Sequence, residues 1–392
     1  MRDHHDKSGK PENRRQFIRR VAMAGVGAAI GSTAGAQMRS DRMRAAHRRR
    51  RIIFNSDGGE ALEAASATPE GLLGTRYSGL LGSHVDTIFH CTHWSFNLCL
   101  HNTQVGDVLT LKEGRYADNN VQTLIAGGRD CLQVVLDFGR ENGLEVFWSM
   151  RMNDVHDVWF PEMRSQWKKR HPECLMGKEG EAEFWSAVNY EHPDVRGQAF
   201  LLIKDVCERY DVDGIELDFC RAPLLFKPQM QGLPVERKHL AMMSEFVRRV
   251  RTMTESVSER RKRPLLIAVR VPDSPVVCRR IGLDVEDWLG EELIDILVPG
   301  GDWHLVPHAV PVSLGHKYNV PVYPCISPYT GTPPAYMRGS LTAEDRKAVL
   351  SAWRGEAASI WHSGADGVYF FNVFSPEDQR WRELGDPALL AG

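Results

Sequence analysis

The 392-residue chain predicts a (β/α)8 barrel. Eight short apolar runs rich in Val, Ile, Leu and Phe recur along it, which is how strands buried on both faces of a parallel sheet read. Amphipathic stretches separate most of these runs, the alternation of a βα repeat. The runner-up, a doubly wound open sheet, lacks its signature: Gly58-Gly59 after the first run does not supply G-x-G-x-x-G.

The elements follow in order. Ile52–Asn55 and Val85–Cys91 are the first two strands. Asn120–Asn142 predicts a helix, closed by Gly143, which can take a left-handed conformation. Leu144–Met150 is the third strand. The long insertion 151–192 after it carries Trp159, Trp167 and Trp185 and belongs to the catalytic rim, because βα loops build that face. Pro193–Tyr210 is a helix with proline in its first turn, and Gly214–Phe219 the fourth strand. Val235–Arg261 is a long amphipathic helix before the fifth strand, Leu265–Val271. Ile294–Val298 and Val320–Ile326 follow shorter, less regular segments. Thr342–Ser363 is a helix capped by Thr342, and Gly367–Val373 is the eighth strand. Residues 52–392 thus form one barrel.

A chain 42% hydrophobic and 26% charged is neither disordered nor a multi-span membrane protein. Its charge is split. Residues 1–51 hold 14 Lys/Arg against 4 Asp/Glu; the remainder holds 35 against 47, a net of −12. So acidic a body excludes nucleic acid as partner. Arg14-Arg15-Gln16-Phe17-Ile18, the apolar run Val21 to Ile30 and Ala34-Gly35-Ala36 have the order of a twin-arginine export signal over residues 1–37. This predicts the twin-arginine machinery as a partner and a periplasmic or extracytoplasmic location. The run is too short for stable membrane insertion. Residues 38–51 read as a flexible basic linker. The eight cysteines show no CxxC or zinc-knuckle spacing and lie mostly beside apolar runs, so free buried thiols are expected.

In such a barrel, polar residues at strand C-termini are the functional candidates. Seven of the eight ends carry them: Asn55-Ser56-Asp57; His90 to Trp94; Arg151-Met152-Asn153-Asp154-Val155-His156-Asp157; Glu216 to Arg221; Arg270; Asp302-Trp303-His304; and Asn372. Glu216 and Asp218 point the same way from the fourth strand, since side chains alternate. Two carboxyls inside a barrel cannot both ionise without cations or hydrogen bonds nearby, and Arg151, Arg221 and Arg270 are the available cations. Such a pair splits its two pKa values, which suits acid/base work on a glycosidic bond.

Asp213-Gly214-Ile215-Glu216-Leu217-Asp218-Phe219-Cys220-Arg221-Ala222-Pro223 resembles the D-G-I-x-L-D-(aromatic)-x-R-x-P segment of glycosyl hydrolase-like family 10 barrels. His192 to Arg196 and Gly364 to Asn372 resemble that family more weakly. The resemblance implies a barrel acting on glycans, with Asp218 as a catalytic-site carboxylate and Arg221 beside it. Chitinase-type barrels are similar at this strand but carry a Glu acid where this chain has Cys220, which disfavours substrate-assisted chemistry. Retaining α-galactosidase-like barrels place an Asp at the ends of strands four and six, positions held here by Asp218 and Asp302.

The working scheme is paired-carboxylate hydrolysis of a poly- or oligosaccharide. Asp218 acts as nucleophile or base, and Asp302 or Glu216 as acid. Asn55, Asp57, Arg151, Asn153, Asp154, His156, Arg221, Arg270 and Asn372 bind the sugar, and Trp94 and Trp303 stack on it. No cofactor is expected. A metal at Arg151–Asp157 is weighed and set aside for a loop held by its own hydrogen bonds. A glycan-binding barrel without catalysis, and a metal-dependent hydrolase or lyase, are the alternatives.

Overall fold

The computed structural model describes residues 35–301, 303–327 and 342–390. The fold is the expected (β/α)8 barrel. Its strands are β1 (Ile52–Ser56), β2 (Val85–Cys91), β3 (Glu145–Arg151), β4 (Gly214–Asp218), β5 (Leu266–Val271), β6 (Ile296–Pro299), β7 (Cys325–Ile326) and β8 (Val368–Phe370). All pair in parallel, in the order β7-β8-β1-β2-β3-β4-β5-β6. A parallel bridge from Leu297 to Val322 joins β6 to the approach of β7 and closes the ring. The seventh strand is shorter than its apolar run because Pro321 and Pro324 have no N–H to give to a ladder.

The helices are α1 (residues 35–46), α2 (Cys131–Asn142), α3 (Pro193–Arg209), α4 (Arg237–Arg261), α5 (Ala309–Lys317) and α6 (Ala343–His362), with shorter turns between them. The stretch expected as one helix over 120–142 is two. Gly127-Gly128 interrupts it, and Asp130 restarts the chain by accepting the Gln133 N–H at 3.0 Å. Gly143 ends α2 at φ 69°, as expected. Among the described residues no helix is long and apolar enough to cross a membrane. Among the described residues no disulfide joins any of the eight cysteines, seven of which are buried.

The main core lies between strands and helices; a second fills the barrel, where Ile53, Phe89, Phe147, Leu266 and Tyr369 pack together. Phe89 and Phe147 stack at 4.6 Å. The ring of Phe147 occupies the space over Gly214, where any Cβ would sit 2.2 Å from it. The glycine of the D-G-I segment is therefore a packing requirement of the barrel interior.

The basic stretch 38–51 is not a flexible linker. α1 docks under the N-terminal ends of the strands, where Arg42 meets Glu255 at 3.0 Å and Asp295 at 3.4 Å. Arg50 has no exposed surface. It donates to both oxygens of Glu145 at 2.7 and 3.0 Å and to the carbonyls of Ala45 and Ala46 at 2.9 and 2.7 Å. The linker expectation fails because these arginines answer carboxylates far along the chain. Arg50→Ala removes both charged hydrogen bonds to the buried Glu145 at the barrel floor and leaves it the Thr87 hydroxyl at 3.0 Å and Arg48 at 3.7 Å. It is expected to cost about 3–5 kcal/mol, read as a lower urea midpoint at unchanged slope.

Candidate active site

Strand register stacks the polar side chains in layers. Arg151, Asp218 and Arg270 are aligned partners on β3, β4 and β5; Ser149, Glu216 and Ala268 are aligned one layer deeper. Two residues of strand separate the layers by about 6.6 Å.

In the upper layer Asp218 is only 1% exposed. Arg270 Nη1 reaches its two oxygens at 3.2 and 3.3 Å, and the Cys220 N–H donates to Oδ1 at 2.8 Å. The Arg270 guanidinium stacks 3.7 Å from the centre of the Phe371 ring; burial opposes its charge, but Asp218 drives its pKa further up. Arg221 lies over the same ring at 5.2 Å. In the lower layer Glu216 accepts from Ser149 at 2.5 Å and from the Tyr369 hydroxyl at 3.2 Å, both on Oε2. Its other oxygen has no hydrogen-bond partner. Burial, and then the Asp218 charge, push the Glu216 carboxyl up to about 8, so it is protonated at neutral pH. Glu216 sits one layer deeper than Asp218 and has no exposed surface.

Beside this stack opens a cavity of about 250 Å³, lined by Asp57, Trp94, Arg115, Arg151, His156 and Phe160, with Glu63 and Tyr116 at its edge. A groove of about 610 Å³ between α1 and α4 lies at the opposite end, walled by surface ion pairs such as Arg42–Glu255. The smaller cavity is the site candidate because it sits at strand C-termini. Trp94 is held by its indole N–H, which donates to the Asp57 carbonyl at 2.6 Å. Three consecutive left-handed residues, Ser95, Phe96 and Asn97, fold the chain back behind it. Burial raises the Asp57 carboxyl, but Arg76 at 2.5 Å and Arg151 outweigh it and hold it below the usual range. Burial likewise raises Asp154, and His156, Arg151 and Arg221 bring it well below that range. Arg151 donates to Asp154 at 2.8 Å, and His156 Nδ1 lies 2.7 Å from it. Arg151, Asp154 and His156 thus satisfy one another, whereas Asp157 at the loop's end is held from outside by Ser95, Lys168 and Ser186.

The structure thus brings Asp57, Trp94, Arg151 and His156 onto one cavity, with Asp154 paired to Arg151 behind them. Asp218 and Arg270 are buried beside Arg151 in strand register, Arg221 shares the Phe371 ring with Arg270, and Glu216 lies a layer deeper. Asn55 and Asn372 each keep a buried side-chain oxygen without a partner. Trp303 stands 53% exposed on the rim. Asn153 is a correction. Its amide donates to the carbonyls of Val188 and Leu224 at 3.0 and 2.6 Å and accepts the Val188 N–H at 3.0 Å, so it stitches the insertion together rather than binding substrate. Asp302 and residues 1–34 of the expected export signal over 1–37 lie outside the described residues; residues 35–37 begin α1. Sequence reasoning missed Glu63, Arg115, Tyr116 and Phe160. Arg115 lies 4.1 Å over the Phe160 ring, a contact between separate loops that no local pattern announces.

No family model and no curated protein matches this sequence. Among solved structures, the chain is similar to an alpha-L-fucosidase isoenzyme from Paenibacillus thiaminolyticus, with TM-score 0.54 and 14% identity over 88% of this chain and 49% of that one. It therefore spans about half the length of that fucosidase. The PgaB glycoside hydrolase domain from Bordetella bronchiseptica aligns at TM-score 0.49 and 12% identity, over 83% of this chain and 94% of that one. An alpha-galactosidase from Lactobacillus brevis aligns at 0.42 and 13%, over 88% and 40%. What the fucosidase shares with this chain is the fold.

Proposed function

We propose that this protein hydrolyses O-glycosidic bonds of a poly- or oligosaccharide at the C-terminal mouth of the barrel. One observation carries the reading: Arg151, which lines an aromatic-walled cavity at the strand C-termini together with Asp57 and His156, is the register neighbour of the buried Asp218–Arg270 pair and the ion-pair partner of Asp154. A hydroxyl-rich ring needs both halves of that arrangement, since charged acceptors and donors hold its oxygens and Trp94 or Phe160 covers its apolar face. The fold shared with a fucosidase adds support.

Asp218 is the carboxylate that attacks the anomeric carbon or activates water. Asp302, at the end of β6, is the acid for the leaving oxygen, the part the strand-end pattern assigns it. Glu216 is a positioning group that keeps a neutral carboxyl under Asp218. Arg151, Asp57 and His156 hold the sugar. We further propose that the twin-arginine pattern directs the chain to the periplasm, where such polymers are met.

The test is release of new reducing ends by the purified chain from a panel of neutral and acidic polysaccharides. Turnover of at least one is expected. Tight binding of an oligosaccharide by calorimetry, with no new ends over days, would overturn hydrolysis in favour of a glycan-binding barrel.

A further inference from the structure

Outside the cavity, two imidazoles and a carboxylate from distant parts of the chain meet. His304 lies on the segment running from β6 to α5, His308 immediately precedes α5, and Glu356 is on α6. His304 Nε2 is 2.8 Å from Glu356 Oε1, and His308 Nε2 is 2.9 Å from the same oxygen. The two rings stand at 89° with centroids 4.7 Å apart, so both nitrogens converge on one point from different directions. A second carboxylate stands behind. Asp273 is 3% exposed. Its Oδ2 accepts the N–H groups of Leu305 and Val306 at 2.9 and 3.2 Å and lies 3.8 Å from His304 Nδ1, while Oδ1 has no hydrogen-bond partner.

We propose that His304, His308 and Glu356 form a binding site for a divalent transition metal, zinc by its chemistry. Two imidazole nitrogens and one carboxylate oxygen are a borderline-soft donor set that suits zinc and disfavours calcium and magnesium, which take oxygen ligands. Ligand distances of about 2.0–2.1 Å in a tetrahedral site put neighbouring donors about 3.3 Å apart. The two histidine–Glu356 separations of 2.8 and 2.9 Å need to widen by only about half an ångström, and all three donor atoms lie within 4.8 Å of one another. Ligation requires each ring to keep its proton on Nδ1. At His304 that proton would face Asp273, the carboxylate–histidine–metal relation that fixes tautomer and ring orientation. Three protein ligands leave a fourth position for water. The ion would tie the rim segment carrying Trp303 to α6. This site is independent of the glycan reading.

The full-length protein, stripped with chelator and dialysed, is titrated with Zn2+ by calorimetry and with Co2+ by visible absorption. One equivalent of Zn2+ with Kd below about 1 μM is expected. Intense cobalt bands of a tetrahedral site should accompany it. Affinity should fall at least a hundredfold in His304→Ala and in Glu356→Gln. His304 is exposed, so its variant keeps the fold, as circular dichroism would verify. Both variants retain the background donors His4, His5 and the His171–Glu173–Cys174 group. Absence of binding, or equal stoichiometry and affinity in wild type and both variants, would overturn the proposal.

Discussion

Asp218→Asn should reduce turnover on any glycan the protein cleaves by about 10²–10⁴-fold, with little change in KM. The carboxylate meets the reaction only where charge develops at the anomeric carbon, so its loss falls on kcat. The amide is nearly isosteric and keeps an acceptor for the Cys220 N–H, but it cannot neutralise Arg270. A buried guanidinium left without its partner should also lower stability, by about 3–5 kcal/mol. The two effects separate by assay: activity is measured well below the variant's Tm, and folding by its circular dichroism. Near wild-type turnover in folded Asp218→Asn would remove this carboxylate from the mechanism. A covalent glycosyl ester on Asp218, trapped with a 2-deoxy-2-fluoro glycosyl fluoride and located by peptide mass spectrometry, would assign it as nucleophile rather than base.

The fold was legible because its signal is local. Each run such as Ile296–Pro299 must be apolar on both faces to sit between the interior packing and the helices, and that requirement is written residue by residue. The strand-end rule found Asp57, Trp94, Arg151, His156, Asp218 and Arg270 for the same reason. What it missed is held by pairings across long separations. Nothing local distinguishes Arg50, sealed against Glu145, from Arg49 beside it, so a docked helix read as a linker. Arg76, which holds Asp57 in the cavity wall, lies on a helix whose face cannot be assigned without the barrel. Asn153 has the residue type of a sugar binder and the contacts of a loop staple. His304 was visible at the end of the sixth strand, but its partner Glu356 lies one strand and most of a helix further on.

Glu216→Gln should make the protein several kcal/mol more stable than the wild type at pH 8.5, with the gap shrinking to about 1 kcal/mol near pH 5. The wild-type carboxyl is held near pKa 8 in the folded state, against about 4.3 in an unfolded chain. Between those values the native state binds a proton that the unfolded state has lost, so unfolding free energy falls as pH rises. The stability linked to this proton is fully present below about 4.3 and is lost as pH climbs through 8. Over that window the loss is on the order of several kcal/mol at about 1.4 kcal/mol per pH unit. The glutamine titrates nowhere in this range. Its oxygen still accepts from Ser149 and Tyr369, and its NH2 takes the place of the unpartnered Oε1. Urea unfolding of both proteins between pH 5 and 9 reads the difference directly. Parallel curves would mean that Glu216 is ionised beneath Asp218. Arg270 would then be shared between two carboxylates, and the charge arrangement proposed for the mouth would be wrong.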